Sequence, residues 1–219
     1  MNKNKIAAFR KNIKNQIISR ARDIFWKKGY LGTSMKDIAK SIGCKPANLY
    51  NYFESKEQLL YETLLEEMQQ LISLIEHLED EDTANPVEQL RTLVRNQTNL
   101  LLGSRRSSKL LFDMEFEKLP PSKRKIIVEL RDRYDVILRK IIRRMMDSGV
   151  ISAIDEKIAS ICIVSMIVRS RIWFSPKGKL SVDDTADFLF KFALFGLLGE
   201  GKNDGARKIR KKLFLSQRP

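Results

Sequence analysis

The chain has 219 residues, 43% of them hydrophobic, and its 41 Lys and Arg residues outnumber its 27 Asp and Glu residues, for a formal net charge of +14. This length and composition allow one large domain or two small ones with a buried core and exclude a disordered chain. The chain has only two cysteines and one histidine. These counts exclude a disulfide framework and the usual zinc sites, so we predict no metal, no cofactor and a reducing, cytoplasmic environment.

The sequence shows no feature of secretion or of membrane insertion. Residues 1–15 contain no long apolar run of the kind found in signal peptides. The longest apolar stretch lies within residues 158–168, whereas a bilayer span needs about 20 residues. We therefore expect a soluble protein that does not bind a membrane.

The positive charge is concentrated at the two ends of the chain. Residues 1–53 carry 12 basic and 2 acidic side chains and residues 202–219 carry 7 and 1, whereas residues 54–201 carry 22 and 24. A basic module beside a nearly neutral one favours nucleic acid as the partner of the basic module. The alternative is a soluble surface that is merely basic.

Helical periodicity extends through nearly the whole chain and predicts an all-α protein with about nine helices. The first helix covers residues 10–28 and ends before Gly29. Capping-box patterns at Ser34 and Ser55, and a proline at Pro46, predict the starts of the next three helices. The remaining helices are predicted over residues 86–103, 107–119, 122–148, 155–174 and 181–198.

The long predicted helices differ in how much of their surface is apolar. The helix over 122–148 has one apolar face, predicted to consist of Ile126, Leu130, Tyr134, Ile137, Ile141 and Met145. The last two helices are apolar on nearly every side, which predicts burial on more than one side. A second copy of the chain would cover the outer side, and a central helix within a monomer is the alternative. The predicted dimer interface includes Ile161, Phe188, Phe192 and Phe195.

Residues 33–53 have the pattern of two short helices joined by a tight turn, which is a helix-turn-helix. Gly43 permits a positive φ angle in the turn, and Leu49 and Phe53 are predicted to anchor the second helix in the core. The other side chains of this segment are left to face outward or sideways, where amides can bind base edges and lysine or tyrosine can bind phosphates. The outward set is Lys45, Asn48, Tyr50, Asn51 and Tyr52, and the predicted phosphate set at the first short helix is Thr33, Ser34 and Lys36. A helical hairpin that binds nothing is the alternative.

This region resembles the N-terminal domain of tetracycline-repressor (TetR) type transcriptional regulators. The resemblance covers about 55 residues and rests on segments 21–25, 29–30, 33–39, 49–50, 52–53 and 56–60, together with Gly43. It implies an all-helical, cytoplasmic homodimer that binds double-stranded DNA at a palindromic operator and responds to a ligand, with a repressor favoured. The positions that contact DNA in the family correspond to Thr33, Ser34, Lys45, Ala47, Asn48, Tyr50, Tyr52 and Lys56, and Pro46 completes the predicted set.

The resemblance also implies how the chain is divided. Residues 1–55 form a three-helix helix-turn-helix DNA-binding domain, residues 56–201 form a larger helical domain for effector binding and dimerisation, and residues 202–219 form a basic C-terminal tail. The role of the tail, the operator sequence and the regulated genes are not implied by the resemblance.

The segment 169–178 resembles a subset of these regulators that controls lipid, fatty-acid or steroid breakdown and responds to acyl-CoA thioesters. Arg169 and Trp173 are four residues apart on one helical face, so they could hold a ligand that carries both phosphates and an apolar tail. An ion pair of Arg169 with a carboxylate, and packing of Trp173, are the alternative. Further predicted pocket residues, which could equally be plain core, are Phe112, Phe116, Tyr134 and Met166. A non-CoA hydrophobic effector, in a regulator of a drug-efflux or signalling gene, is the second functional hypothesis.

No enzyme motif of the chain occurs in a suitable context. Residues 196–202 have the spacing of a phosphate-binding loop, but Asn203 follows where Ser or Thr would bind magnesium, and the segment follows a predicted helix instead of a strand. We therefore predict no catalytic residues and no enzymatic activity.

Overall fold

The structure, a computed structural model, describes residues 3–79, 85–103 and 116–199, and these ranges contain eight α-helices and no strand. The all-helical prediction is therefore confirmed. The predicted helix over residues 107–119 lies mostly outside the described residues, and its end, Phe116–Lys118, is a 3-10 turn. The helices are α1 (Lys3–Lys28), α2 (Met35–Ser41), α3 (Pro46–Tyr50), α4 (Lys56–Ser73), α5 (Pro86–Leu102), α6 (Pro121–Asp147), α7 (Glu156–Trp173) and α8 (Val182–Leu198).

Side-chain caps fix the starts of several helices. The Ser34 hydroxyl accepts a hydrogen bond from the Asp37 N–H at 3.1 Å, and the Asp37 carboxylate accepts one from the Ser34 N–H at 2.9 Å. This reciprocal pair is the predicted capping box of α2, and hydrogen bonds from Ser34 lower the pKa of Asp37 to about 2. At α4 the box is modified, because Gln58 accepts from the N–H of Glu54 and not from that of Ser55. Side chains also cap α5 at Asn85, α7 at Asp155 and α8 at Ser181.

One predicted helix face was wrong at its start. Ile126 is 41% exposed, whereas Ile127 is fully buried. Counted back from the buried Tyr134 at about 100° per residue, Ile127 lies about 20° from its direction and Ile126 about 80° away. The apolar face of α6 therefore starts at Ile127.

The chain folds into two compact units. The described part of the first unit comprises residues 3–70 and 116–131, and that of the second comprises residues 71–79, 85–103 and 132–199. Within the first unit α1 packs against α2 and α2 against α3, whereas in the second unit α5, α7 and α8 pack against one another. The predicted division after residue 55 stays a prediction, and the predicted tail 202–219 lies outside the described residues.

Each unit has its own apolar core. In the first unit Phe25, Ile38 and Leu49 are at most 1% exposed. In the second unit Leu90 and Phe190 are fully buried. Within the described ranges no helix is sufficiently long and apolar to cross a membrane.

Candidate nucleic-acid interface and ligand-binding unit

The turn between α2 and α3 has the geometry that a helix-turn-helix needs. Gly43 adopts a φ of +70°, where a side chain would be strained, and the Cys44 N–H donates to the Ala39 carbonyl at 3.0 Å. Ala39 is fully buried, and its small side chain allows α2 and α3 to approach closely. Leu49 and Phe53 are fully buried, as predicted. The turn and these anchors fix which side of α3 faces outward.

The outward side of α3 carries polar and aromatic groups. Asn48 and Asn51 are exposed, and Tyr50 leaves 53% of its surface in solvent. Amide groups can bind base edges, and tyrosine hydroxyls can bind phosphates. Of the other predicted DNA-binding residues near α3, Lys45 and Ala47 are exposed and Pro46 and Tyr52 are half-buried; in the α2 region Ser34 and Lys36 are exposed.

Two predicted DNA-binding residues have structural partners in this unit. Thr33 is 2% exposed, and its hydroxyl donates to the Gly29 carbonyl at 2.7 Å. The Lys56 ammonium donates to the carbonyls of Tyr30 and Thr33, both at 2.8 Å, and lies 4.1 Å from the centroid of the Tyr30 ring. Both residues therefore hold the loop between α1 and α2, and a role for either in DNA contact stays a prediction.

Ion pairs that the sequence analysis missed join α1 to α4 within the first unit. The Arg22 guanidinium, 4% exposed, lies 2.8 Å from a Glu66 carboxylate oxygen and 2.9 Å from a Glu67 oxygen, the second contact being poorly aligned as a hydrogen bond. Lys14 lies 3.0 Å from Glu62. A signal for Arg22 was present, because it has the phase of the buried Ile18 and Phe25 on α1.

The interior of the second unit contains a polar group. The Tyr134 hydroxyl donates to the Gln97 side-chain oxygen at 2.5 Å, and burial raises the pKa of Tyr134, so that it stays a neutral donor. Thr98, which follows Gln97 in the chain, is fully buried, and its hydroxyl has no partner among the described residues. Gln97 and Thr98 continue the spacing of the buried Leu90 and Val94, so a polar residue in an apolar phase was the signal that sequence reasoning missed.

The described residues of the predicted effector set belong to both units. Arg169 is exposed and forms no ion pair or hydrogen bond within the described ranges, and Trp173 is 53% exposed. Met166 on the same helix is half-buried, and Tyr134 belongs to the polar interior. Phe116 lies in the first unit, where Arg124 is 5.7 Å from its ring, and Phe112 lies outside the described residues. No group of three or more His, Cys, Asp or Glu residues in the described part of the chain is placed to hold a metal ion.

The outer sides of α7 and α8 expose large apolar side chains. Phe188 and Phe192 are 57% and 62% exposed, and their rings are stacked with centroids 6.2 Å apart. Ile161 on α7 is 54% exposed, and Phe195, also predicted at the dimer interface, is half-buried. Because the opposite side of α8 is buried at Phe190, the helix is apolar on both sides, as the sequence indicated.

Two family models match the chain. Residues 17–63 match the one described as bacterial regulatory proteins, tetR family, and residues 83–197 match the one described as tetracyclin repressor-like, C-terminal domain. The chain belongs to the TetR family. The family is one of DNA-binding transcriptional regulators. The match to its DNA-binding model includes the helix-turn-helix of this TetR protein, and the match to its C-terminal model follows along the chain.

Relatives of this TetR protein include characterised regulators. It is 23% identical over 193 residues to the HTH-type transcriptional repressor KstR2 of Mycobacterium tuberculosis, covering 86% of this chain and 94% of that protein. It is 30% identical to the TetR-family regulator PfmR of Thermus thermophilus, with a TM-score of 0.74 over 81% of this chain and 96% of that one. The regulator AibR, solved in complex with isovaleryl coenzyme A and operator DNA, is 26% identical, with a TM-score of 0.74 over 82% and 96% of the two chains.

Proposed function

We propose that this TetR protein is a homodimeric repressor that leaves a palindromic operator when a small apolar effector binds its larger helical unit. The observation that carries the proposal is α3, whose Asn48 and Tyr50 face solvent, as does its C-cap Asn51, while Leu49 anchors it in the core. Two such helices in a symmetric dimer would enter major grooves about one helical turn, ~34 Å, apart. The proposal treats the chain as a regulator and assigns it no catalytic activity.

The side chains around α3 support separate roles on DNA. Asn48 and Asn51 are exposed amides, suited to base edges, whereas Lys45 and Lys36 are exposed cations, suited to phosphates. The buried Leu49 and the Gly43 turn hold these groups on a rigid scaffold, which lowers the entropy lost on binding.

Helix α4 supports the link between effector and DNA. Its residues Glu62, Glu66 and Glu67 form ion pairs with Lys14 and Arg22 of α1, and Lys56 at its start holds the loop that precedes α2. The same helix continues into the second unit, which starts at Leu71. An effector that favours a different position of α4 would therefore move the helix-turn-helix, and a coupling free energy of about 1–3 kcal/mol is typical of such regulators.

An acyl-CoA-like effector is favoured. The Arg169 cation has no partner within the described ranges, and Trp173 presents an exposed indole four residues away. In the interior, the buried Thr98 hydroxyl, which has no partner among the described residues, is suited to donate to a carbonyl group of an acyl chain. AibR, which is similar over most of its length, was solved with isovaleryl coenzyme A.

We expect Tyr50→Ala to weaken operator binding at least about tenfold, because the hydroxyl and ring are lost from the exposed side of α3. Folding should be unaffected, since Tyr50 is 53% exposed. Fluorescence anisotropy with an operator duplex measures the affinity, and circular dichroism measures the helical content. Leu31→Ala, at a 76% exposed position in the loop after α1, is the matched control. A Tyr50→Ala protein that binds the operator as tightly as this control would contradict the placement of α3 on DNA.

We expect isovaleryl-CoA to release the wild-type protein from its operator and Arg169→Ala to reduce this response at least about tenfold, since a phosphate contact would be lost. DNA binding without ligand should be unchanged. Lys157→Ala, which removes an exposed cation on the same helix, is the control.

A thermal-shift comparison of acyl-CoAs with hydrophobic amines tests the second hypothesis, because stabilisation by the amines alone would replace the CoA assignment with a non-CoA effector.

A further inference from the structure

The start of α1 forms an extension that the helix-turn-helix does not require. Helix α1 starts at Lys3, whereas the match to the TetR DNA-binding model starts at residue 17. The side chains described between residues 5 and 12 are all exposed, including Phe9 at 64%. We call residues 3–12 the α1 extension. Because a helical segment whose described side chains all face solvent gains little stability from packing, the extension is expected to have a partner.

The α1 extension carries positive charge that nothing in the described chain neutralises. The sequence contains no Asp or Glu before Asp23. Lys5, Arg10 and Lys11 are exposed and form no ion pair within the described ranges, and the first basic residue of α1 that does so is Lys14, with Glu62. The expected partner is therefore anionic.

The extension starts beside the residues that are proposed to bind DNA. A groove of about 320 Å³ is lined by Ile13, Gln16 and Ile17 of α1 on one side and by Asn48, Asn51 and Tyr52 on the other. Residues 13–17 thus flank α3, and the extension continues the helix from that point for ten residues, or about 15 Å. This is the length of about four base pairs of duplex.

We propose that the α1 extension binds the phosphate backbone of the DNA that flanks each operator half-site, through Lys5, Arg10 and Lys11. The inference rests on the proposed function, since it needs α3 in the groove. It goes beyond that function by adding a second contact surface, which precedes the segment matched by the family's DNA-binding model and is independent of base sequence. Phosphate contacts of this kind add affinity and make binding more sensitive to salt, and they leave the preferred operator sequence unchanged.

The test compares two duplexes and four proteins, all of full length. A palindrome selected from random-sequence duplexes by the wild-type protein is prepared with blunt ends and with ten additional base pairs on each side. The test protein carries Lys5→Gln, Arg10→Gln and Lys11→Gln together. The control removes three exposed cations of the second unit, through Lys157→Gln, Lys177→Gln and Lys179→Gln, and Tyr50→Ala reports on α3. The measurement is the dissociation constant between 0.05 and 0.3 M salt.

We expect the wild type and the control to bind the longer duplex more tightly, and the test protein to lose this gain and at least about tenfold in affinity. The slope of log affinity against log salt concentration should become shallower by about 0.9 for each lost contact, and thus by up to about 5 for the six contacts of a dimer. A test protein that retains the slope and the gain from the longer duplex would overturn the inference. Binding to vesicles of phosphatidylglycerol is measured in parallel. A test protein that binds both duplexes like the wild type but loses affinity for the vesicles would also overturn the inference, because it would assign the extension to a membrane. The proposed function fails separately, if the wild type selects no palindrome or if Tyr50→Ala binds it normally.

Discussion

Replacing Arg22 with methionine is expected to lower the free energy of unfolding by about 3 kcal/mol, a large change for a single substitution. Arg22 is 4% exposed and lies between α1 and the carboxylates of Glu66 and Glu67, with Glu67 itself 9% exposed. Methionine fills most of the same volume but leaves the buried carboxylate without its cation. The penalty is therefore mainly the cost of losing a cation beside a buried carboxylate, and only secondarily that of lost packing.

The control for this change lies on the same two helices. Lys14 and Glu62 join α1 to α4 at 3.0 Å, yet the Lys14 side chain is 37% exposed, so Lys14→Met should cost at most about 1 kcal/mol. The double variant Arg22→Met with Glu67→Met should recover a large part of the stability lost in Arg22→Met, because the carboxylate that loses its cation is also removed. Urea unfolding followed by circular dichroism, at one protein concentration, gives all three values. Equal costs for Arg22→Met and Lys14→Met would show that burial does not set the strength of this contact.

These ion pairs also show what the sequence could not predict. The pattern of apolar residues predicts that Arg22 lies on the inner side of α1, but its partners are 44 and 45 residues away on α4, and only the packing of the two helices brings them together. The Tyr134–Gln97 hydrogen bond has the same origin. Such contacts depend on which helices are neighbours, and one sequence carries no direct signal of that.

Helix boundaries, in contrast, were predictable because their causes are local. The box of Ser34 with Asp37 and the positive φ of Gly43 each involve only a few consecutive residues. Where no local signal exists, the prediction was poorer: α1 starts at Lys3 and not at residue 10, and the side chains described between residues 5 and 12 are all exposed. The periodicity used for prediction registers buried side chains, and therefore missed an exposed helical extension.

The candidate site residues likewise include some that the sequence predicts from local spacing and some that depend on distant segments. Exposure of Asn48, Tyr50 and Asn51 follows from the spacing of Leu49 and Phe53 along a short helix, and could be read from the sequence. The effector site could not, because a pocket between helices is defined by distant segments. Phe116 was selected as an aromatic residue after residue 60; it belongs to the first unit, and its place at an effector site stays a prediction.

The larger expected effect on function comes from the exposed phenylalanines of α8. We expect the double variant Phe188→Lys with Phe192→Lys to be monomeric and to lose operator affinity by about 10²- to 10⁴-fold, because a monomer binds one half-site without the effective concentration that links two. Both side chains are more than half exposed, so the change should leave the fold intact. The mass in solution should fall from twice the 25.4 kDa of one chain to that of a single chain.

Lysine is the informative replacement because it separates dimer loss from a change in electrostatics. Two additional positive charges per chain strengthen nonspecific attraction to DNA, so a fall in operator affinity would have to come from the loss of the second half-site contact. Ile126→Lys, at a 41% exposed position of α6 in the first unit, introduces the same side chain on a helix other than α7 and α8 and should leave both mass and affinity unchanged. A double variant that remains a dimer would show that the stacked Phe188 and Phe192 rings lie outside the interface. The apolar outer side of α8 would then need a partner other than a second copy of the chain.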